Sequence, residues 1–250
     1  MAKLTLLQIT NSILSSMDSD EINSINDTEE SLQVARVVEE VYLEIMSQKD
    51  WPHLKVIREL DGLSDSTKPN FMQIPSGLSE IKCVKYDTSE SGATSVTISD
   101  IRYMEPEDFI NLVHQRRSDG SDVQTVTTAE GVPLFIINNK SPQRWTSFDE
   151  DLIVFDAFDS AVDTTLQGSK SIIFAVRIPT FSQTDTHIPD LPESMFPLLL
   201  AEAKRSCHIY FKQQDSPMDA KRSLRGFNRM RSESWRAHDQ RKVTNFGRAR

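Results

Sequence analysis

The sequence predicts an α+β fold: a helical bundle built from an N-terminal and a C-terminal helix pair, with an inserted antiparallel β-sandwich or barrel domain and an extended C-terminal arm. Three observations carry this reading. Apolar residues recur with the 3.6-residue period of an amphipathic helix in the first fifty positions and again beyond residue 191. Between these stretches they fall into short β-branched and aromatic runs punctuated by Gly, Pro, Asn, Asp and Ser. The last dozen residues scatter single apolar side chains among cations, which suits an extended arm better than a helix. The expected divisions are residues 1–51 (helix pair), 52–190 (β-rich insertion), 191–238 (second helix pair) and 239–250 (basic arm).

Each element has its own signal. Thr5-Leu6-Leu7-Gln8 has the capping-box form, in which a threonine hydroxyl and a glutamine amide satisfy two helix-start N–H groups. Leu6, Ile9, Ile13, Leu14 and Met17 then share one face. Asp27-Thr28-Glu29-Glu30 opens a second helix with acids at the positive end of its dipole, and Val34, Val37, Val38, Val41, Tyr42, Ile45 and Met46 form its stripe. After Pro52 the runs LKVIREL, GLSEIKCVKYD, SVTISDIRYM, VPLFIINN, QRWTSFD, DLIVFDAF and KSIIFAVRIP read as strands, with INNKSPQRW as a hairpin loop between two of them. One helix interrupts the series behind Pro106. Phe196, Leu199, Leu200, Ala203, Cys207, Tyr210 and Phe211 mark one face of a later helix, and Pro217 opens a last one through Ala220, Leu224 and Phe227.

Composition narrows the function classes. The 250 residues are 38% hydrophobic and 26% charged, ordinary for a folded chain, and no apolar run approaches the eighteen or so residues that span a bilayer. Neither a signal peptide nor an anchor is read. Cys83 and Cys207 lie far apart without CxxC spacing, so no thiolate zinc site or disulfide framework is expected. Nucleotide-binding glycine loops are missing from the sequence, which has only 8 glycines. The formal charge of −9 is unevenly placed: residues 219–250 hold ten cations against three acids, a net +7, leaving −16 for residues 1–218. Such polarity points to a partner that reads one sign of charge.

No constellation assembles an active site, and the expectation is a protein that is not an enzyme, without metal or cofactor. Asp18-x-Asp20 with Glu29 imitates a calcium loop, but Ile22 and Asn23 occupy positions where an oxygen donor and a glycine are needed. The run DEDLIVFDAFD reads as a strand with acids at its exposed rim. Cys207 and His208 are adjacent on a helix and point about 100° apart, so they form no dyad. The five histidines share no ligand spacing. What remains is the basic end. Arg222, Arg225, Arg229 and Arg236 fall along one side of a helix, and the tail beyond mixes cations with Val243 and Phe246. Exposed ion pairs contribute about 0.2–1 kcal/mol each, whereas a buried Phe or Trp contributes about 2–3 kcal/mol. Cations there would steer and aromatics would hold.

The segments IPDLPESMFPLLLAEAKRSCHIYFKQQDSPMDAKRSLRGFNRMRSESWRAHDQRK, LLQITNSILSSMDSDEINSINDTEESLQVARVVEEVYLEIMSQKDWPHL and VDTTLQGSKSIIFAVRIP resemble tailed-bacteriophage head-to-tail adaptor proteins of the tail tubular protein A type. The resemblance spans nearly the whole chain and rests on pattern. It implies a virion neck or tail component, assembled in the host cytoplasm as a dodecameric ring between portal protein and tail nozzle, with DNA passing through its centre without specific binding. It also implies portal docking by the C-terminal region, here Trp235, Arg236, Arg241, Lys242, Val243, Phe246, Arg248 and Arg250. A conduit lined by carboxylates repels phosphate; by density of charge, Asp18, Asp20, Glu21, Asp149, Glu150 and Asp151 are the candidate channel acids. The competing reading is a nucleic-acid binder that uses the basic C-terminal helix and arm on phosphate.

Overall fold

The computed structural model describes residues 3–63, 65–89, 95–213 and 216–239, with side chains described to residue 232. Among the described residues it is a mixed α+β protein with five α-helices, a curled eight-stranded sheet and a small second sheet. The chain divides into two compact units, one from residues up to Trp51 together with those from Pro179 onward, the other from Pro52 to Ile178. The sequence reading carries the β block to residue 190. Strand pairing, however, ends at Arg177, and the residues that follow hydrogen-bond to the N-terminal helices.

In the helical unit, α1 (Leu6–Ser16) starts with the Thr5/Gln8 capping box and buries Leu6, Ile9, Ile13 and Leu14. Helix α2 (Glu29–Ser47) is capped by Thr28, whose reciprocal partner is Ser31, and buries the expected valine stripe. It ends before Trp51, whose indole N–H donates to the Met46 carbonyl at 3.1 Å. The chain returns from the insertion through residues 179–195. There Leu6 N–H donates to the His187 carbonyl at 2.7 Å, and Ile25 N–H donates to the Asp185 carboxylate at 2.8 Å. Phe181 packs between Tyr42, tilted at 46° with ring centroids 5.3 Å apart, and His187, edge-on at 4.5 Å. Burial lowers the His187 pKa from its ordinary value, opposed by the Glu39 carboxylate.

The other unit follows strand order through β1 (Lys55–Arg58), β2 (Asp61–Gly62), β3 (Phe71–Gln73), β4 (Leu78–Asp87) and β5 (Ile98–Tyr103), then α3 (Pro106–His114). It continues through β6 (Val123–Thr127), β7 (Pro133–Ile137), β8 (Arg144–Thr146), β9 (Leu152–Phe155) and β10 (Ser171–Arg177). The large sheet has the order β1-β10-β4-β5-β8-β9-β3-β2, and β6 pairs with β7 in the small one. Its core joins both sheets to α3 through Phe109, Val113, Val126, Leu134, Phe155 and Ile173.

Two sequence expectations are corrected here. The segment INNKSPQRW does not close a hairpin, because β7 pairs with β6 while β8 pairs with β9 and β5. The sheet is also not wholly antiparallel: β5 and β8 run parallel, Arg102 opposite Arg144. Parallel neighbours need a long crossover, and α3 with the β6–β7 hairpin supplies it. Strand β10 connects β1 to β4, so the last strand lies between early ones.

A buried ion pair pins this crossover. Asp156, 6% exposed, accepts N–H bonds from Gln143 and Arg144 on one carboxylate oxygen at 3.0 and 2.9 Å. Its other oxygen faces Arg116 at 3.3 Å, and Arg116 also donates to the carbonyls of Phe135 and Asp156. Burial lowers the guanidinium pKa, and Asp156 opposes that shift. Asp156 is therefore no exposed rim acid, contrary to the alternation read from DEDLIVFDAFD. Removing one partner of a buried pair strands the other charge and costs about 3–5 kcal/mol. Asp156→Ala is expected to lower unfolding stability by that amount in urea titration; an unchanged midpoint would show that the pair is dispensable.

Candidate functional site

The basic C-terminal region is built on α4 (Phe196–Lys212) and α5 (Pro217–Asp239). Helix α4 carries Pro197 in its first turn and buries Phe196, Leu198, Leu199, Ala201, Ala203 and Cys207. Burial pushes the Cys207 thiol up to about 12, so it remains a neutral core side chain. Tyr210 is exposed, off the apolar face to which the sequence pattern assigns it. The helix ends at Gln213, whose φ of 52° is left-handed and whose N–H returns to the Ile209 carbonyl. Pro217 opens α5, and the Ser216 hydroxyl meets the Asp219 carboxylate at 2.8 Å.

Helix α5 docks through a narrow seam: Asp219, Ser223 and Met230 are buried, Gly226 and Phe227 partly so. That spacing of four, three and four residues leaves Leu224 about 100° out of phase. Leu224 is exposed. At the base of the seam the Ser223 hydroxyl donates to Glu202, and Arg222 approaches Asp219 at 3.5 Å. Burial lowers the Lys204 pKa; Asp219 opposes that shift and Arg222 adds to it. Lys221, Arg222, Arg225, Arg229 and Arg231 all lie on the exposed part of α5.

Of the proposed docking residues, Trp235 and Arg236 fall on the helical backbone of α5, beyond the last described side chain. Arg241, Lys242, Val243, Phe246, Arg248 and Arg250 lie outside the described residues.

The candidate acids fall in both units. Asp18, Asp20 and Glu21 occupy the exposed loop after α1, where Asp18 has a left-handed φ of 59°. Lys212 from α4 donates to the Met17 carbonyl at 2.6 Å and sits 3.6 Å from the Asp18 carboxylate. Further on, Asp27 accepts from the N–H groups of Asn23 and Ser24 at 2.8 Å. Asp149, Glu150 and Asp151 form the exposed β8–β9 turn, where the Asp149 carboxylate accepts from Asp151 and Leu152 N–H.

A cleft in the β unit, away from these loops, is lined by the carboxylates of Asp87, Asp159 and Asp163 beside Tyr86. Each is committed. Asp163 pairs with Lys170 at 2.5 Å, Asp159 accepts from Ala161 N–H, and Asp87 is held below its ordinary value by the Ser89 hydroxyl and N–H. Burial pushes the Tyr86 phenol up to about 12, and its oxygen accepts from Gln167 N–H. Among the described residues no group of three or more His, Cys, Asp or Glu side chains is arranged to hold a metal. No described helix is long and apolar enough to cross a membrane.

Comparison with protein-family models finds no match, and comparison with curated proteins finds no significant similarity. Two features escaped the sequence reading: the exposed leucines among the charges of α2 and α5, and the Asp156–Arg116 pair. The first was hidden because a leucine at helical spacing counts toward either face until the seam is known.

The seam also yields a test. A Cβ on Gly226 would lie 2.7 Å from Leu198 Cδ1 and 3.0 Å from Leu198 Cβ. Leu198 Cβ is fixed to its backbone, so α5 must move away. Alanine gains up to about 1 kcal/mol of helix propensity, while overpacking costs about 1–3 kcal/mol. Gly226→Ala is expected to lower the thermal midpoint; a raised midpoint would show that α5 is not seated closely on α4.

Proposed function

We infer that this chain is a structural adaptor of a phage neck, a protein-binding ring component that joins a portal to a tail nozzle. In this reading the four long helices form a bundle, the β unit is an inserted domain, and the basic terminus enters crevices of the portal. The observation that carries the reading is the construction of α5. It is held to α4 by a thin seam, leaves its cations outward, and continues directly into a terminus rich in Arg, Lys and isolated aromatics. A segment of that kind gains little from cations alone, because exposed pairs are weak and screened by salt. Buried aromatics would hold it, and repetition around a ring would multiply a weak contact by raising effective concentration. The acidic body suits a DNA conduit, since like charge discourages sticking along the path.

Removal of residues 240–250 is the test. The truncated chain is expected to keep its circular dichroism spectrum and melting transition while losing attachment to portal rings in co-sedimentation. Attachment at wild-type levels would refute a docking role for the arm. A DNA mobility shift at low salt that disappears with the same deletion would favour the nucleic-acid reading instead.

A further inference from the structure

We propose that the outward faces of α2 and α5 are complementary, and that α2 of one copy of this chain packs against α5 of a second copy. The two faces carry the same pattern with opposite sign. On α2 it is Glu40-x-x-Leu43-Glu44, and on α5 it is Lys221-x-x-Leu224-Arg225. In each helix the three named residues sit at i, i+3 and i+4, so a leucine lies between two like charges on one face. Both leucines are in water in the single chain, Leu43 at 42% and Leu224 at 63% exposure. Among the described residues none of these four charges has an ion-pair partner.

The placement of the helices makes a second copy the fitting occupant. Helix α4 packs against both α2 and α5, and those two do not pack on each other to a comparable extent. The acidic and basic faces therefore flank a common helix and leave each other uncovered. A contact between different faces of identical chains is heterologous, and repetition of it closes a ring or extends a filament. The paired leucines would supply apolar burial, and the flanking charges would fix register and exclude like-with-like docking. Arg36, one turn before Glu40, confines the acidic stripe to the last turns of α2. Exposed Met218, three residues before Lys221, extends the apolar strip on α5. A polyphosphate would use the cations of α5 alone and would leave both leucines in water.

This inference deepens the adaptor reading by naming the contact between copies, and it rests on that reading for the ring. It is tested with two full-length variants, Glu40→Lys with Glu44→Lys and Lys221→Glu with Arg225→Glu, by sedimentation velocity and native mass spectrometry at low ionic strength. Each variant alone opposes like charges and is expected to associate at least about tenfold more weakly than wild type. Mixed in equal amounts, the two present alternating complementary faces and are expected to recover wild-type association. A chain carrying all four substitutions is self-complementary again and is expected to associate like wild type, which separates charge matching from damage to the fold. A wild-type chain that stays monomeric at every concentration, variants that assemble like wild type, or a mixture that fails to recover would each overturn the proposal. So would loss of duplex-DNA binding in the α5 variant with unchanged self-association. Portal attachment is scored separately with the 240–250 truncation, so its loss there would count against the arm and not against this contact.

Discussion

The helical unit exists only if two distant pieces of chain close on each other. Helices α1 and α2 precede the β unit and α4 and α5 follow it, so closure must bridge residues 52–178. The entropic cost of such a bridge grows slowly, about 0.6 kcal/mol for each doubling of loop length, and a folded insertion is tolerated. What must be strong is the seal. It is made by α2 against α4, by the return segment hydrogen-bonded to the start of α1 and the loop before α2, and by Lys212 reaching the end of α1. The Tyr42, Phe181 and His187 rings add an apolar clasp between α2 and the return segment. With that seal formed, α4 presents the groove on which α5 lies, and the basic end acquires a rigid base.

The helices were legible because their signals are local. Capping by Thr5 and Thr28, Pro106, Pro197 and Pro217 in first turns, and the valine stripe of α2 all act within a few residues of where they appear. Strands β4, β7, β9 and β10 were equally plain from β-branched runs. Strand partners were not. Nothing within Arg144-Trp145-Thr146 reveals that it runs parallel to β5, because that choice is made by the length of the crossover and by a carboxylate twelve residues later. The short β2, β3 and β6 lack long apolar runs and are defined as strands by their pairing with β3, β9 and β7.

The candidate site was legible as charge and not as shape. The surplus of cations after residue 219 and their recurrence along one side of a helix follow from the sequence. Which face α5 buries does not, since Gly226 and Ser223 make the seam by being small while the larger Leu224 stays outside. Asp156 misleads for a related reason: in an acidic run one carboxylate looks like its neighbours, and only the fold brings Arg116 to it.

Charge is thus sorted on three levels in this chain: an acidic body, a cationic outer side of α5, and a basic terminus. Such sorting fits the proposed adaptor role, in which each surface would have to prefer one partner over the others. Native mass spectrometry of the intact chain, alone and with a phage portal protein, tests the proposed adaptor role most directly. A defined multiple of the chain bound to the portal is the expected result; a chain that ignores the portal and is retained only by DNA would contradict it.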